Sequence, residues 1–423
     1  MSVPTVRQRW LAAGALAVVW AVGTADARLA GWPIDLEVYR AAGEVWRQGH
    51  RLYLAGYPYG LGPYLPFTYP PFAAVVLGGL SLLSLAAAWA LLTGLGLALL
   101  AVTAGLGWQI APIPVIGWKR LALGVGLGVA AITVEPVQST IMYGQINLVL
   151  MGLVALDCLV ARPRWPRGLL LGVAAAIKLT PLVFVLVLLL RRQWGAAATA
   201  LGTFTAAACV GALALPADSR DYWFHTLLDP DRIGILDTAT NQSVRGVLER
   251  WGISGSGPWL AGCAVVAVLT LVSTSHLVAR GDQLGSLLTT AAGALLLSPI
   301  SWSHHWVWCV PGSIWLARRA LVKGGWAWLT AATVTAIFIL APHHFFPAGQ
   351  WHIEQQWTWS EQLLGDSYAW VALAVLLAGS VGATRARSAL PPPSRRRIKA
   401  LLLPPAAPPP GSSPSLSYAE PHG

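Results

Sequence analysis

Asp35 opens the first polar stretch after an apolar run, in GWPIDLEVYR (31–40), with a second carboxylate, Glu37, two residues on. A carboxylate at a membrane surface can act as a general base, taking a proton from a hydroxyl as that oxygen attacks. It can also cap the short helix that follows. Leu36, Val38, Tyr39, Ala42, Val45 and Trp46 recur at helical spacing, which predicts an interfacial helix over 36–46 with Asp35 near its start. The two uses are compatible.

Of the four lysines, Lys119, Lys323 and Lys399 flank apolar runs, whereas Lys178 sits between two short apolar segments in AAAIKLTPL. An ammonium within the bilayer costs roughly 2.5–3.5 kcal/mol, so such a residue is a functional candidate unless it snorkels to the interface. An anionic lipid headgroup would make its position favourable. Glu135 (TVEPVQST) and the group Tyr143, Gln145 and Asn147 (YGQINLVL) are expected on the same side. Capping and helix–helix hydrogen bonding are the plainer uses of the last two.

In NQSVRG (241–246), Asn241 and Gln242 offer amides next to Arg245. A guanidinium beside amides suits phosphate or sugar oxygens, although a loop arginine can simply be solvated. The segment SPISWSHHWVW (298–308) sets His304 and His305 among three tryptophans. Tryptophans at that depth anchor a helix at the interface, and they also make walls for sugar rings or prenyl chains. Adjacent histidines on a helix point about 100° apart, which argues against one shared metal. The familiar zinc spacings are absent, so a proton-handling or phosphate-contacting histidine is the expectation, with no metal and no cofactor. His343, His344 and WHIEQQWTW (351–359) could border the same cavity.

These residues must be positioned by membrane helices. The 423 residues are 56% hydrophobic and 11% charged, against the roughly 25% charged of soluble domains. Uncharged runs such as 85–108 and 194–215 reach the ~20 residues that cross a bilayer. The run 10–30 reads as a retained helix, too long for a signal-peptide core. The net charge of +11 falls in short loops and the tail, which fits a positive-inside bias and excludes nucleic acid as the expected partner. Four cysteines lie in apolar runs without a disulfide or metal pattern and read as packing residues.

Basic clusters fall at Arg7/Arg9, Lys119/Arg120, Arg162/Arg164/Arg167, Arg191/Arg192, Arg280, Arg318/Arg319/Lys323 and from Arg385 onward. Placing all of them inside predicts an all-α polytopic protein of about twelve crossings with both termini cytoplasmic. The crossings are 10–30, 85–108, 120–137, 145–161, 167–178, 180–191, 194–215, 258–279, 284–300, 305–320, 324–342 and 368–385. The stretch 71–83, after a double proline, then reads as a re-entrant half-helix. One transmembrane domain, 1–385, would carry three long outer segments, 31–70, 216–257 and 343–367. The Pro-rich basic tail 386–423 is expected to be disordered.

Together DLEVY, LPFTYPPFAAVV (65–76, with Tyr69), EPVQST…YGQIN, AIKLTP, NQSVRG and SPISWSHHWVW resemble the polyprenol-phosphate-mannose-dependent mannosyltransferases of glycosyltransferase family 87. Within it, the likeness is greatest to the actinobacterial alpha-(1→2) mannosyltransferases of phosphatidylinositol mannosides. The matches run in order from about residue 30 to 310. The resemblance implies a GT-C membrane fold in the plasma membrane, an active site on the outer face and a polyprenol-phosphate-mannose donor. It also implies a mannosylated phosphatidylinositol acceptor, Asp35 as catalytic base and a cavity-side His–His pair at His304 and His305. The alternatives are a sister enzyme acting on lipomannan or lipoarabinomannan and, in a different class, a lipid-linked sugar transporter. Against the transporter stand the gathering of polar groups on one face and the lack of a visible internal repeat.

Overall fold

The computed structural model describes residues 32–53, 65–109, 118–349 and 352–388. The expected crossing 10–30, the middle of the first outer segment and nearly all of the tail lie outside them. The described residues are helical, with one isolated antiparallel bridge, Asn241 to Trp302. Among the described residues, five helices are long and apolar enough to cross a membrane, or six if a bent pair counts as one span. Outward-facing side chains such as Leu91, Val210, Leu213, Val265 and Val268 are apolar and exposed, as a lipid-facing surface requires. The chain is a multi-pass membrane protein.

The expected interfacial helix is α1 (Ile34–Arg47), with Leu36, Val38, Tyr39, Ala42 and Val45 buried along one side. The stretch after the double proline forms α2 (Pro71–Leu77) and a 3-10 turn, Gly78–Leu82. The next elements are α3 (Leu85–Gln109) and α4 (Trp118–Ala131). The crossing read as a single helix over 120–137 breaks instead. After α4 the chain turns by 80° and restarts as α5 (Glu135–Met142). Pro136, in the first turn of α5, has no N–H to continue a preceding helix, which places the break there.

Short helices α6 (Asn147–Leu159) and α7 (Leu169–Ile177) follow, then a 3-10 turn, Thr180–Phe184, running into α8 (Val185–Leu190). Lys178 sits at the break between α7 and that turn, where the chain is extended. Basic residues at these flanks cap helix ends: Arg167 donates to the Asp157 and Val160 carbonyls, and Arg191 to the Cys158 carbonyl.

The long helices α9 (Trp194–Ala214) and α12 (Ser256–Ala279) enclose the second polar segment, which contains α10 (Pro216–Phe224) and α11 (Val244–Arg250). Then come α13 (Gln283–Leu297), a 3-10 turn at Ser303–Trp308, α14 (Cys309–Lys323) and α15 (Trp326–Leu340). The short α16 (Trp359–Gly365) leads into α17 (Ser367–Ser388). Helices α12 and α13 share a hydroxyl contact, Thr274 Oγ1 to Thr289 Oγ1 at 2.9 Å, as small polar residues do between membrane helices. All four cysteines are free thiols; Cys158 and Cys309 are packed inside as expected, but Cys209 is exposed.

The three long polar segments meet on one side. Arg51 pairs with Asp218 and Asp221, and the Leu52 N–H donates to Asp218 at 2.8 Å, joining the first segment to the second. His352 and Gln355 contact the Asp237 carboxylate at 2.7 and 2.9 Å, joining the third to the second. The buried Arg250 donates to Asp366 at 2.6 Å and to the carbonyls of Thr238 and Asn241.

Candidate active site

Under these segments lies a cavity of about 470 Å³. Asp35, Tyr69, Gln145, Lys178, His304 and His305 all line it, so residues from five stretches of chain meet there. Asp35 stands in the first turn of α1, whose start has no side-chain cap. Its own N–H and that of Leu36 donate to the Tyr143 carbonyl, at 3.0 and 3.2 Å. The YGQ turn therefore caps the helix. Gly144 makes this possible: its φ is +65°, and a Cβ there would stand 2.7 Å from the Leu36 Cβ.

The Asp35 carboxyl is half-buried. Burial raises its pKa to about 6, while the Gln145 amide and the positive Lys178 oppose the rise. At neutral pH it is mostly ionised and already close to the range useful for accepting a proton. Glu37, two residues on, accepts instead from the Trp32 indole and does not line the cavity.

Across the cavity, Lys178 Nζ lies 3.1 Å from Asn147 Oδ1 and 3.2 Å from His305 Nε2. An ammonium can only donate, so the lone pair of His305 is on Nε2 and its proton on Nδ1. Asn147 turns its amide NH2 to the His304 carbonyl at 2.9 Å, and Thr140 donates to the same oxygen at 3.0 Å. These bonds fix the His–His turn against α5 and α6. The His304 ring packs edge-on to Tyr143 and His305, and its Nε2 has no hydrogen-bond partner among the described residues.

Tyr69 joins the two sides. Its ring lies under Lys178, 5.4 Å from Nζ to the ring centre. Its hydroxyl, with that of Tyr39, converges on Gln145 Oε1 at 3.2 and 2.8 Å.

Other sequence candidates stand elsewhere. Asn241 and Gln242 are fully buried and hold the chain before the histidines. The Ser301 N–H donates to Asn241 Oδ1 at 2.9 Å, and the Gln242 N–H donates to the Ser301 carbonyl at 2.9 Å. Gly246 is required beside them, since a Cβ there would be 2.3 Å from the Asn241 carbonyl oxygen. Arg245 does not line the cavity; it faces Glu249 at 3.9 Å and stacks on Trp259. Glu135 is buried behind the wall, accepting from Ser139, Ser303 and Tyr368.

Sequence reasoning did not single out Tyr39, whose hydroxyl lies within the apolar face of α1. The pattern that predicted the helix also concealed that group. Glu135, His343 and His344 bring one metal-capable atom each within 4.8 Å of the others, a grouping that no local spacing announces. Of these, His344 lines the cavity.

The profile of glycosyltransferase family 87 matches residues 67–299. A polyprenol-phosphate-mannose-dependent alpha-(1-2)-phosphatidylinositol mannoside mannosyltransferase of Mycobacterium tuberculosis is 37% identical over 403 residues, covering 89% of this chain and 90% of its own. Its namesake in Mycolicibacterium smegmatis is 36% identical over 411 residues, covering 89% of each. A polyprenol-phosphate-mannose-dependent alpha-(1-2)-phosphatidylinositol pentamannoside mannosyltransferase of the same species is 37% identical over 310 residues, covering 69% of this chain and 72% of its own. No solved structure matches the chain. With the profile running through the stretches that carry Tyr69, Gln145 and Lys178, and relatives aligned along most of its length, the chain belongs to glycosyltransferase family 87.

Proposed function

We propose that this chain transfers mannose from polyprenol-phosphate-mannose to a mannose hydroxyl of a phosphatidylinositol mannoside, forming an alpha-(1→2) linkage. The observation that carries this reading is the placement of Asp35 and Lys178 on the wall of one cavity. The names of the relatives support the donor and the acceptor class.

Asp35 takes the proton of the acceptor hydroxyl as its oxygen bonds to the anomeric carbon. The bond from that carbon to the phosphate oxygen breaks, and its electron pair leaves with the phosphate as a monoester. Lys178 faces the charge that develops there, already oriented by Asn147 and His305. Because Lys178 occupies His305 Nε2, His305 holds the ammonium in place rather than meeting the phosphate itself. A single displacement inverts a beta-linked donor to an alpha product. Asp35 supplies its base and Lys178 its charge stabilisation; His305 positions Lys178, and His304, Tyr69, Gln145 and Asn147 shape and orient the site. Asn241, Gln242 and Glu135 support it from behind, and Arg245 is assigned no contact with the donor.

Lys178 and His305 also border an apolar crevice lined by Leu150, Met151, Phe184 and Trp308. The prenyl chain lies there, leaving the sugar on the cavity side of Lys178. The proposed architecture is GT-C, with about twelve crossings in the plasma membrane, site outward and both termini inside; the five or six long apolar helices among the described residues support its multi-pass character. Residues 1–385 then form the catalytic domain and 386–423 its tail.

The test is to incubate the purified full-length chain in detergent with polyprenol-phosphate-mannose and a panel of phosphatidylinositol mannosides of increasing length. An alpha-(1→2)-mannosylated product is expected. A product of another linkage, or none with any member of the panel, overturns the reading.

A further inference from the structure

Helices α13 and α14 both run between the cavity and a second pocket. Ser298, directly after α13, lines the cavity, while Asp282, directly before it, lines the other pocket. Lys323 closes α14 in that same pocket, and each helix has 15 residues. The two sites are thus separated by about 22 Å of helix, most of a ~30 Å hydrocarbon core.

This second pocket measures about 300 Å³ and, among the described residues, is lined by Arg280, Arg318, Arg319 and Lys323 with a single acid, Asp282. Asp282 is already engaged. It accepts from the Gly285 N–H at 2.8 Å and the Trp315 indole at 2.9 Å, and pairs with Arg319 at 3.6 Å. Arg319 is further oriented by stacking on Trp315, 4.4 Å from the ring centre. Arg318 donates to the Gly107 carbonyl at 2.8 Å. Among the described residues that line the pocket, four cations thus stand beside one carboxylate.

The wall is also apolar on one side. Val322 lines the pocket at 68% exposure, and beside it Leu321, Trp326 and Trp328 are exposed. A basic flank that merely follows the positive-inside bias needs neither an enclosing pocket nor an apolar border. Basic pockets between membrane helices are suited to phospholipid headgroups, with tryptophans at the interface beside them.

We propose that this pocket binds the phosphate of an anionic phospholipid in the leaflet opposite the cavity, with the acyl chains lying against Val322 and its exposed neighbours. The site is distinct from the one that takes the reacting lipids.

The experiment uses the full-length chain in a neutral detergent, titrated with cardiolipin or phosphatidylglycerol against phosphatidylcholine and read by native mass spectrometry. Inorganic phosphate and glycerol phosphate serve as soluble competitors. The wild type should prefer the anionic lipids, and Arg280→Gln/Arg319→Gln/Lys323→Gln should lose that preference, by about fivefold for each cation removed. Val322→Glu, at an exposed position, should weaken the same binding by adding a negative charge. It carries the test alone if the triple variant does not elute as a single species. Equal binding of phosphatidylcholine, or unchanged preference in the variants that elute cleanly, overturns the proposal. So does displacement of the lipid by equimolar inorganic or glycerol phosphate, which would mark a site for soluble anions.

Discussion

Lys178 Nζ and His305 Nε2 lie 3.2 Å apart, so the histidine holds the ammonium rather than a proton of its own on that nitrogen. A charge set at the mouth of an apolar crevice matches a leaving group that is a lipid phosphate. Lys178→Ala should therefore weaken donor binding by ~10–100-fold, the range expected for a lost charged hydrogen bond, and leave acceptor binding nearly unchanged. Binding of each lipid measured separately decides it, and equal losses for donor and acceptor would assign Lys178 a structural role.

The acid limb of the pH profile follows from Asp35. Only the ionised carboxyl can accept a proton, and its pKa is raised to about 6 by burial. On the acid side of that value activity should fall about tenfold per pH unit. Gln145 favours the ionised form, so Gln145→Leu raises the pKa further and moves the acid limb to higher pH. A profile of kcat/KM against pH for both proteins checks the sign; a limb shifted to lower pH contradicts it.

Asn241 matters through Ser301. Removing its Oδ1 leaves the buried Ser301 N–H unpaired, at a cost of about 1–3 kcal/mol. Asn241→Ala should lower the melting temperature and kcat, with little change in donor KM. Gly246→Ala should act in the same direction, because its Cβ displaces the Asn241 carbonyl. Thermal melting beside initial rates separates these variants from Lys178→Ala, whose main effect is on donor binding.

The pair Arg250–Asp366 is completely buried. Breaking one side of such a pair costs about 3–5 kcal/mol, because the other charge is left uncompensated. Arg250→Met alone should destabilise strongly, and Arg250→Met/Asp366→Leu should recover part of the loss. A double-mutant cycle by thermal or denaturant unfolding measures the coupling, and additive effects would show none.

Much of the site was legible because membrane insertion makes polar residues conspicuous. Lys178 and the pair His304 and His305 stand out in apolar sequence, and the period of 36–46 placed Asp35 at a helix start. What a linear reading could not supply was direction. Arg245 lies only four residues from Asn241, yet it turns to Glu249 and Trp259 while Asn241 turns inward to Ser301. Nor did the sequence distinguish a straight crossing at 120–137 from one broken at Pro136, since both carry the same apolar composition. The Tyr143 carbonyl, which caps α1 from more than a hundred residues away, is a backbone group that no residue type reveals.

Asp35→Asn isolates the proton acceptor while keeping size and polarity at the start of α1. Steady-state transfer from polyprenol-phosphate-mannose is the direct measurement, paired with donor binding to the same preparation. The variant should fold and bind donor like the wild type, while its kcat falls by ~10²–10⁴-fold, the usual contribution of a general base. Transfer within a few-fold of wild type would contradict Asp35 as the base.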